Sequence, residues 1–302
     1  MPKKPPRTPD LMALLPSWLL SLRAERKSAS TIGSYERGVR MFVAWCADVE
    51  RPAVLDKPTV NAWVASLLDA GLEGTTAVAR QLAVRRFSDW LAAEGEIPAD
   101  ALLGLKPPKM DTKVVEPLTE AELKALLKAC SGPEFIDRRD EAIVRLMLET
   151  GTRAGECASM LLDDVDLASG VAIVRRGKGG KGRFVPFGPQ TARSIDRYKR
   201  ARASHRLASS PALWLGDRGK EFGYSGLWKA LGTRANAAGL VGFHPHQLRH
   251  TAAHRWLAAG GSEGGLMSVA GWSRPDMLMR YTRARAADRA AEEARKLNLG
   301  DL

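Results

Sequence analysis

The chain is 302 residues long, with 45% apolar and 26% charged side chains, a composition that supports two packed domains and excludes wholesale disorder. Its 46 Lys and Arg against 34 Asp and Glu leave a net charge of +12, the excess expected of a surface that meets a polyanion. No apolar run approaches the ~20 residues that span a bilayer, and MPKKPPRTPD at the start lacks a hydrophobic signal segment. Cys46, Cys130 and Cys157 are odd in number and contain no CxxC, so neither a disulfide framework nor a structural zinc site is expected. The expectation is a cytoplasmic protein without membrane contact.

In chain order, apolar positions from Leu11 to Leu22 recur at helical spacing, and Ser28-Ala-Ser-Thr31 supplies caps for a second helix carrying Tyr35, Val39, Phe42, Val43 and Trp45. Thr59 is expected to begin a third helix that Gly71 ends, and Thr75-Thr76 a fourth through Leu82, Phe87, Trp90 and Leu91. Trp18, Trp45, Trp63 and Trp90 fall on apolar faces and are expected in a core. A helical domain over 8–105 results. The segment from Gly104 to Thr112 is dense in proline and charge, which neither helix nor sheet tolerates, and places a linker at 106–114.

The second domain, 115–302, opens with Thr119-Glu-Ala-Glu122, a capping box. A helix from about Arg138 to Glu149 stops at Gly151. Two short β-type runs, Gly170 to Arg176 and Arg183 to Phe187, flank the basic turn Gly177-Lys-Gly-Gly-Lys-Gly182 and read as a hairpin; the rest is expected to be mostly helical. The fold class is therefore mainly α with a small β-hairpin. Charge is uneven: residues 1–110 hold 15 basic and 12 acidic side chains, and the remainder carries a net of +9. From Val171 to Arg206 eleven basic residues face only Asp196, which points to nucleic-acid contact, with Arg175, Arg176, Lys181 and Arg183 as candidates.

Four of the five histidines lie between His244 and His254. His246, His250 and His254 share one helical face and could hold a metal, but no HExxH, acidic ligand or paired cysteine accompanies them. A phosphodiester suits the cluster better. Pro245 fits a first helical turn, and His246 and Arg249 would lie side by side near an N-terminus whose dipole favours an anion.

With these residues in view the chain resembles the tyrosine site-specific recombinases, the family of phage integrases, Xer proteins and Cre. Thr150-Gly-Thr-Arg153-Ala-Gly-Glu156 resembles the first-arginine box, with Thr152 where Leu is usual. Gly177-Lys178-Gly-Gly-Lys181 resembles the hairpin bearing the active-site lysine, and His246-Gln-Leu-Arg249-His250 is similar to the HxxR box. Gly271-Trp272-Ser273 fills the His/Trp position. Arg280-Tyr281-Thr282 stands at the nucleophile position, 32 residues after Arg249.

The resemblance implies a two-domain clamp on double-stranded DNA, a helical core-binding domain followed by a catalytic domain with a C-terminal tail helix. Arg153 and Arg249 would bind the phosphate oxygens, Tyr281 would attack phosphorus, and Lys178 would protonate the leaving 5′ oxygen, with Lys181 as its rival on the same loop. His246 would take the tyrosine proton or hydrogen-bond the phosphate, and Trp272 would pack and offer an indole N–H. Glu156 would orient the His246 and Arg249 side, while His250 supports from behind. Fixed cationic forks suffice for such a transition state, so no metal, cofactor or ATP is expected. The same resemblance implies a homotetramer on DNA, a Holliday-junction intermediate and a place for an accessory directionality factor. It favours an actinobacterial phage or mobile-element integrase lacking an arm-binding domain. A type IB topoisomerase-like nicking-closing enzyme and a non-catalytic DNA-binding regulator are the rival readings.

Overall fold

The computed structural model describes residues 9–109, 116–175 and 182–274, together with positions 278 and 295. The chain divides into two compact units, Met1–Lys113 and Val114–Leu302.

In the first unit, α1 (Leu11–Ala24), α2 (Ala29–Asp48), α3 (Lys57–Asp69) and α4 (Gly74–Ala93) follow one another. Side-chain caps fix the first three starts: Asp10 accepts from Met12 and Ala13, Ser28 from Thr31, and Asp56 from Thr59 at 2.8 Å. The third helix thus begins before Thr59, because Asp56 supplies the cap and Pro58 fits the first turn. Trp18 and Trp63 are fully buried; Trp18 stacks on Tyr35 with ring centroids 5.7 Å apart, and Phe42 meets Trp63 edge-on at 5.3 Å. Trp45 and Trp90 are only partly buried and pack against the outside of this core.

The second unit starts with α5 (Glu120–Ala129), whose capping box is complete: Thr119 Oγ1 accepts from the Glu122 N–H, and the Glu122 carboxylate accepts from the Thr119 N–H. Then come α6 (Phe135–Thr150) and a short α7 (Ala154–Ala158) that sequence periodicity did not indicate. α6 begins three residues before Arg138, where the Asp137 carboxylate accepts the Glu134 N–H at 3.2 Å. The strands form a three-stranded antiparallel sheet, β1 (Val165–Asp166), β2 (Val171–Val174) and β3 (Arg183–Pro186), in that order. Ala172 pairs with Val185 and Val174 with Arg183; Ala172, Val174 and Val185 are buried while Phe184 stays exposed, the alternation of a one-sided sheet. β1 is two residues long, too short for a sequence pattern to register.

Four further α-helices follow: α8 (Pro189–Arg202), α9 (Tyr224–Ala237), α10 (His246–Ala258) and α11 (Glu263–Ala270). The main core collects Leu126, Ile143, Leu146, Met147, Tyr198, Trp214, Leu231 and Leu248 around the sheet. A satellite cluster of Ala253, Leu257, Leu266, Ala270 and Trp272 joins α10 to α11. Among the described residues no helix is long and apolar enough to cross a membrane. The expected tail helix, the tip of the β2–β3 hairpin and most of the expected linker lie outside the described residues.

Candidate active site

Two helix C-termini frame the site. α6 ends at Gly151, in the left-handed region at φ +61°, and α11 ends at Gly271, at φ +65°, so each chain turns sharply and leaves terminal carbonyls that the helix cannot satisfy. Arg249, in the first turn of α10, fills both ends at once. Its Nη1 donates to the Gly151 carbonyl at 2.6 Å and its Nη2 to the Ala270 carbonyl at 2.7 Å. The side chain is only 2% exposed, and the guanidinium carbon sits 5.3 Å from the ring centre of Trp272, itself 5% exposed. The negative ends of two helix dipoles and an aromatic face are what a desolvated cation requires. Such dipoles hold the guanidinium in one orientation.

Arg153 stands just before α7. Its Nη1 donates to Glu156 Oε1 at 2.7 Å, and its backbone N–H donates to Glu156 Oε2 at 3.0 Å. Glu156 is 8% exposed. Burial disfavours its anion, but hydrogen bonds from Arg183 and Arg153 outweigh that penalty and hold its carboxyl below the usual carboxylate range. Glu156, expected to orient the His246 and Arg249 side, makes its hydrogen bonds to Arg153 and Arg183. Arg183, expected to contact DNA, points inward for the same reason, since a buried carboxylate on α7 draws its guanidinium. Arg175 remains largely exposed and pairs with the buried carboxylate of Asp164.

His246 opens α10 on the solvent side, next to Pro245. Partial desolvation, followed by the nearby charges of Arg249, His244 and Arg153, lowers its pKa, so the imidazole is neutral at neutral pH and able to accept a proton. Arg249 and Arg153, distant in sequence, therefore both act electrostatically on His246. The His246 and His250 rings meet edge-on at 4.8 Å. Desolvation and then His246 push the pKa of His250 down to about 4, which keeps it uncharged behind the site. Among the described residues no group of three or more His, Cys, Asp or Glu converges as a metal would need. The three cysteines are buried, and burial pushes the Cys157 thiol up to about 12.

Thr152, the departure in the first-arginine box, is fully buried with its hydroxyl 3.2 Å from that of Thr150, so the polar group is accommodated next to the α6 terminus. Lys178, Lys181, Arg176 and Tyr281 lie outside the described residues. What sequence reasoning missed is the Arg183–Glu156 pair. The only hint was the position of Arg183 directly after the basic turn.

Residues 116–288 match the model of the phage integrase family, and residues 15–95 match that of the phage integrase N-terminal SAM-like domain. The chain belongs to the phage integrase family. It is a tyrosine recombinase, an enzyme of site-specific DNA recombination. Similar proteins include the tyrosine recombinase XerD of Corynebacterium glutamicum, 31% identical with 89% of this chain and 92% of that protein covered. Another is XerC of Pseudomonas fluorescens, 30% identical over 86% and 88% of the two chains. Among solved structures, the XerA recombinase is 26% identical with a TM-score of 0.52, covering 90% of this chain and 94% of that one. The Tn1549 transposon integrase in complex with transposon right end DNA shares the fold at 18% identity, with a TM-score of 0.73 over 95% of this chain and 99% of that one.

Proposed function

We propose that this recombinase cuts and rejoins double-stranded DNA through a 3′-phosphotyrosyl intermediate, with Arg153 and Arg249 as the phosphate clamp. The observation that carries the reading is the buried Arg249 guanidinium, held in a fixed orientation by the carbonyls at the ends of α6 and α11 beside His246. Attack on a phosphodiester builds charge on the non-bridging oxygens, and preorganised donors meet that charge without reorganising. The Tyr281 oxygen forms the new bond to phosphorus while the bond to the 5′ oxygen breaks. His246, neutral at pH 7, accepts the tyrosine proton, and Lys178 delivers a proton to the departing 5′ oxygen. Trp272 supports Arg249 from its ring face. The phosphoester energy stays in the tyrosyl link, so rejoining needs no ATP.

In this reading 8–105 is a helical core-binding domain, 106–114 a linker, and 115–302 the catalytic domain, and both domains bind duplex DNA. Four subunits assemble on two sites, and strand exchange passes through a Holliday junction. A lambda integrase tetramer bound to a Holliday junction shares this chain's fold at 15% identity. An accessory factor sets direction. Trp272 and the Arg280-Tyr281-Thr282-Arg283 run favour the ends of a mobile element as the sites. Recombinases as relatives over nearly nine-tenths of the chain speak against the topoisomerase and regulator readings.

The test is covalent capture on attachment-site DNA nicked near the crossover, read on denaturing gels. Tyr281→Phe is expected to bind DNA as the parent does and to form no adduct. An adduct with Tyr281→Phe would move the nucleophile elsewhere.

A further inference from the structure

Arg183 opens β3, opposite Val174 at the base of the hairpin whose turn carries Lys178 and Lys181. Its guanidinium has three acceptors. Nη1 and Nη2 donate to the two oxygens of Glu156 at 3.1 and 2.7 Å, and Nε donates to the Val269 carbonyl at 2.7 Å. Glu156 in turn holds Arg153 by side chain and backbone. Val269 immediately precedes Ala270, the residue whose carbonyl holds Arg249. The fit is close: a Cβ at Gly271 would come within 3.0 Å of the Arg183 guanidinium, so residue 271 is glycine both for its positive φ and for this contact. The Arg183 side chain is 11% exposed, against 27% for that of Arg153.

Charge counting gives this link a purpose. A carboxylate shared only with Arg153 would neutralise it and compete with phosphate for its N–H groups. With a second guanidinium on the same carboxylate, the trio keeps one net positive charge, and the better-buried Arg183 takes the two-point geometry while Arg153 keeps a single side-chain bond. A lysine cannot replace it, because an ammonium does not reach three acceptors in a planar fork.

We propose that Arg183 is a positioning residue for the cleavage step: through Glu156 it sets the orientation and net charge of the Arg153 arm, and it anchors the hairpin base to the end of α11. The inference rests on the reading of Arg153 and Arg249 as the phosphate clamp. It differs from a direct DNA contact, which would change affinity, and from a general structural bridge, which would change stability without regard to the charge of the scissile phosphate.

The experiment measures the single-turnover rate of covalent capture at saturating nicked DNA for Arg183→Ala, Arg153→Ala and the double variant, alongside DNA affinity and thermal midpoint. Arg183→Ala is expected to slow capture about 10- to 100-fold with affinity within about threefold of the parent. The double variant is expected to fall well short of the product of the two single effects, because one acts through the other. With a neutral methylphosphonate at the scissile position, the Arg183→Ala defect should shrink together with that of Arg153→Ala. Arg183→Lys, which keeps charge and bulk, carries the same comparison if the alanine variant does not fold, and is expected to recover only part of the rate. Multiplicative effects, a defect indifferent to phosphate charge, or a parallel loss of affinity would overturn the role of Arg183 and leave the clamp standing. Normal capture by Arg153→Ala would instead remove the clamp and this inference with it.

Discussion

Arg249→Ala tests whether one side chain both ties helix ends together and stabilises the transition state. Truncation strips donors from the buried carbonyls of Gly151 and Ala270. Each unsatisfied buried acceptor costs about 1–3 kcal/mol, and the lost stacking on Trp272 adds about 0.5–2 kcal/mol. Relief from burying a cation offsets part of this, which leaves a net loss of about 3 kcal/mol. In a unit of the size of Val114–Leu302, each kcal/mol moves the midpoint by roughly 2–4 °C, so the second unit should melt about 6–12 °C lower and still be folded at 20 °C. The chemical loss comes on top. Removing one preorganised donor from a developing oxyanion costs about 100- to 1,000-fold in rate. Calorimetry and single-turnover capture at 20 °C separate the two effects, since the first shifts the melt and the second slows a folded protein. A folded Arg249→Ala protein that captured DNA within about threefold of the parent rate would refute the reasoning, whatever its stability.

Lys178→Ala is expected to lose capture on ordinary DNA and to regain it on a substrate whose bridging 5′ oxygen is sulfur, because a thiolate leaves without protonation. Rescue of Lys181→Ala and not of Lys178→Ala would transfer the acid role within the turn. The pKa of His250 is depressed from 6.5 to about 4 in the folded protein, so protons bind the unfolded chain preferentially in between. Its contribution to stability is present above pH 6.5 and is lost as the pH falls towards 4. Thermal midpoints of the parent should drop faster over that window than those of His250→Gln, and parallel curves would contradict the assignment. DNA affinity should fall steeply between about 50 and 200 mM salt, as counterion release by the excess cations demands. Filter binding that shows no such slope would argue against a phosphate-tracking surface.

The sequence alone indicated α1–α6 and α10 and several of their starts, because caps and periodicity act within a few residues: Ser28 on Thr31, Thr119 with Glu122, and Gly151 at a positive φ are local events. It also placed the five boxes in order, since the chemistry of each resides in adjacent side chains. It did not reach the two-residue strand β1, which is held by cross-strand pairing with β2, and the five-residue α7 is too short for a periodic pattern to register. Nor did it give the partners of the long cationic side chains. Arg183 was expected to meet DNA, yet it pairs with Glu156, 27 residues away, because the fold brings a buried carboxylate within its reach and burial makes that pair compulsory. Arg249 reaches Gly151, 98 residues back, and Ala270, 21 ahead, only because α6, α10 and α11 converge. Which residues carry charge is written locally in the chain; where that charge is aimed depends on which helix ends meet, and tertiary packing alone decides that.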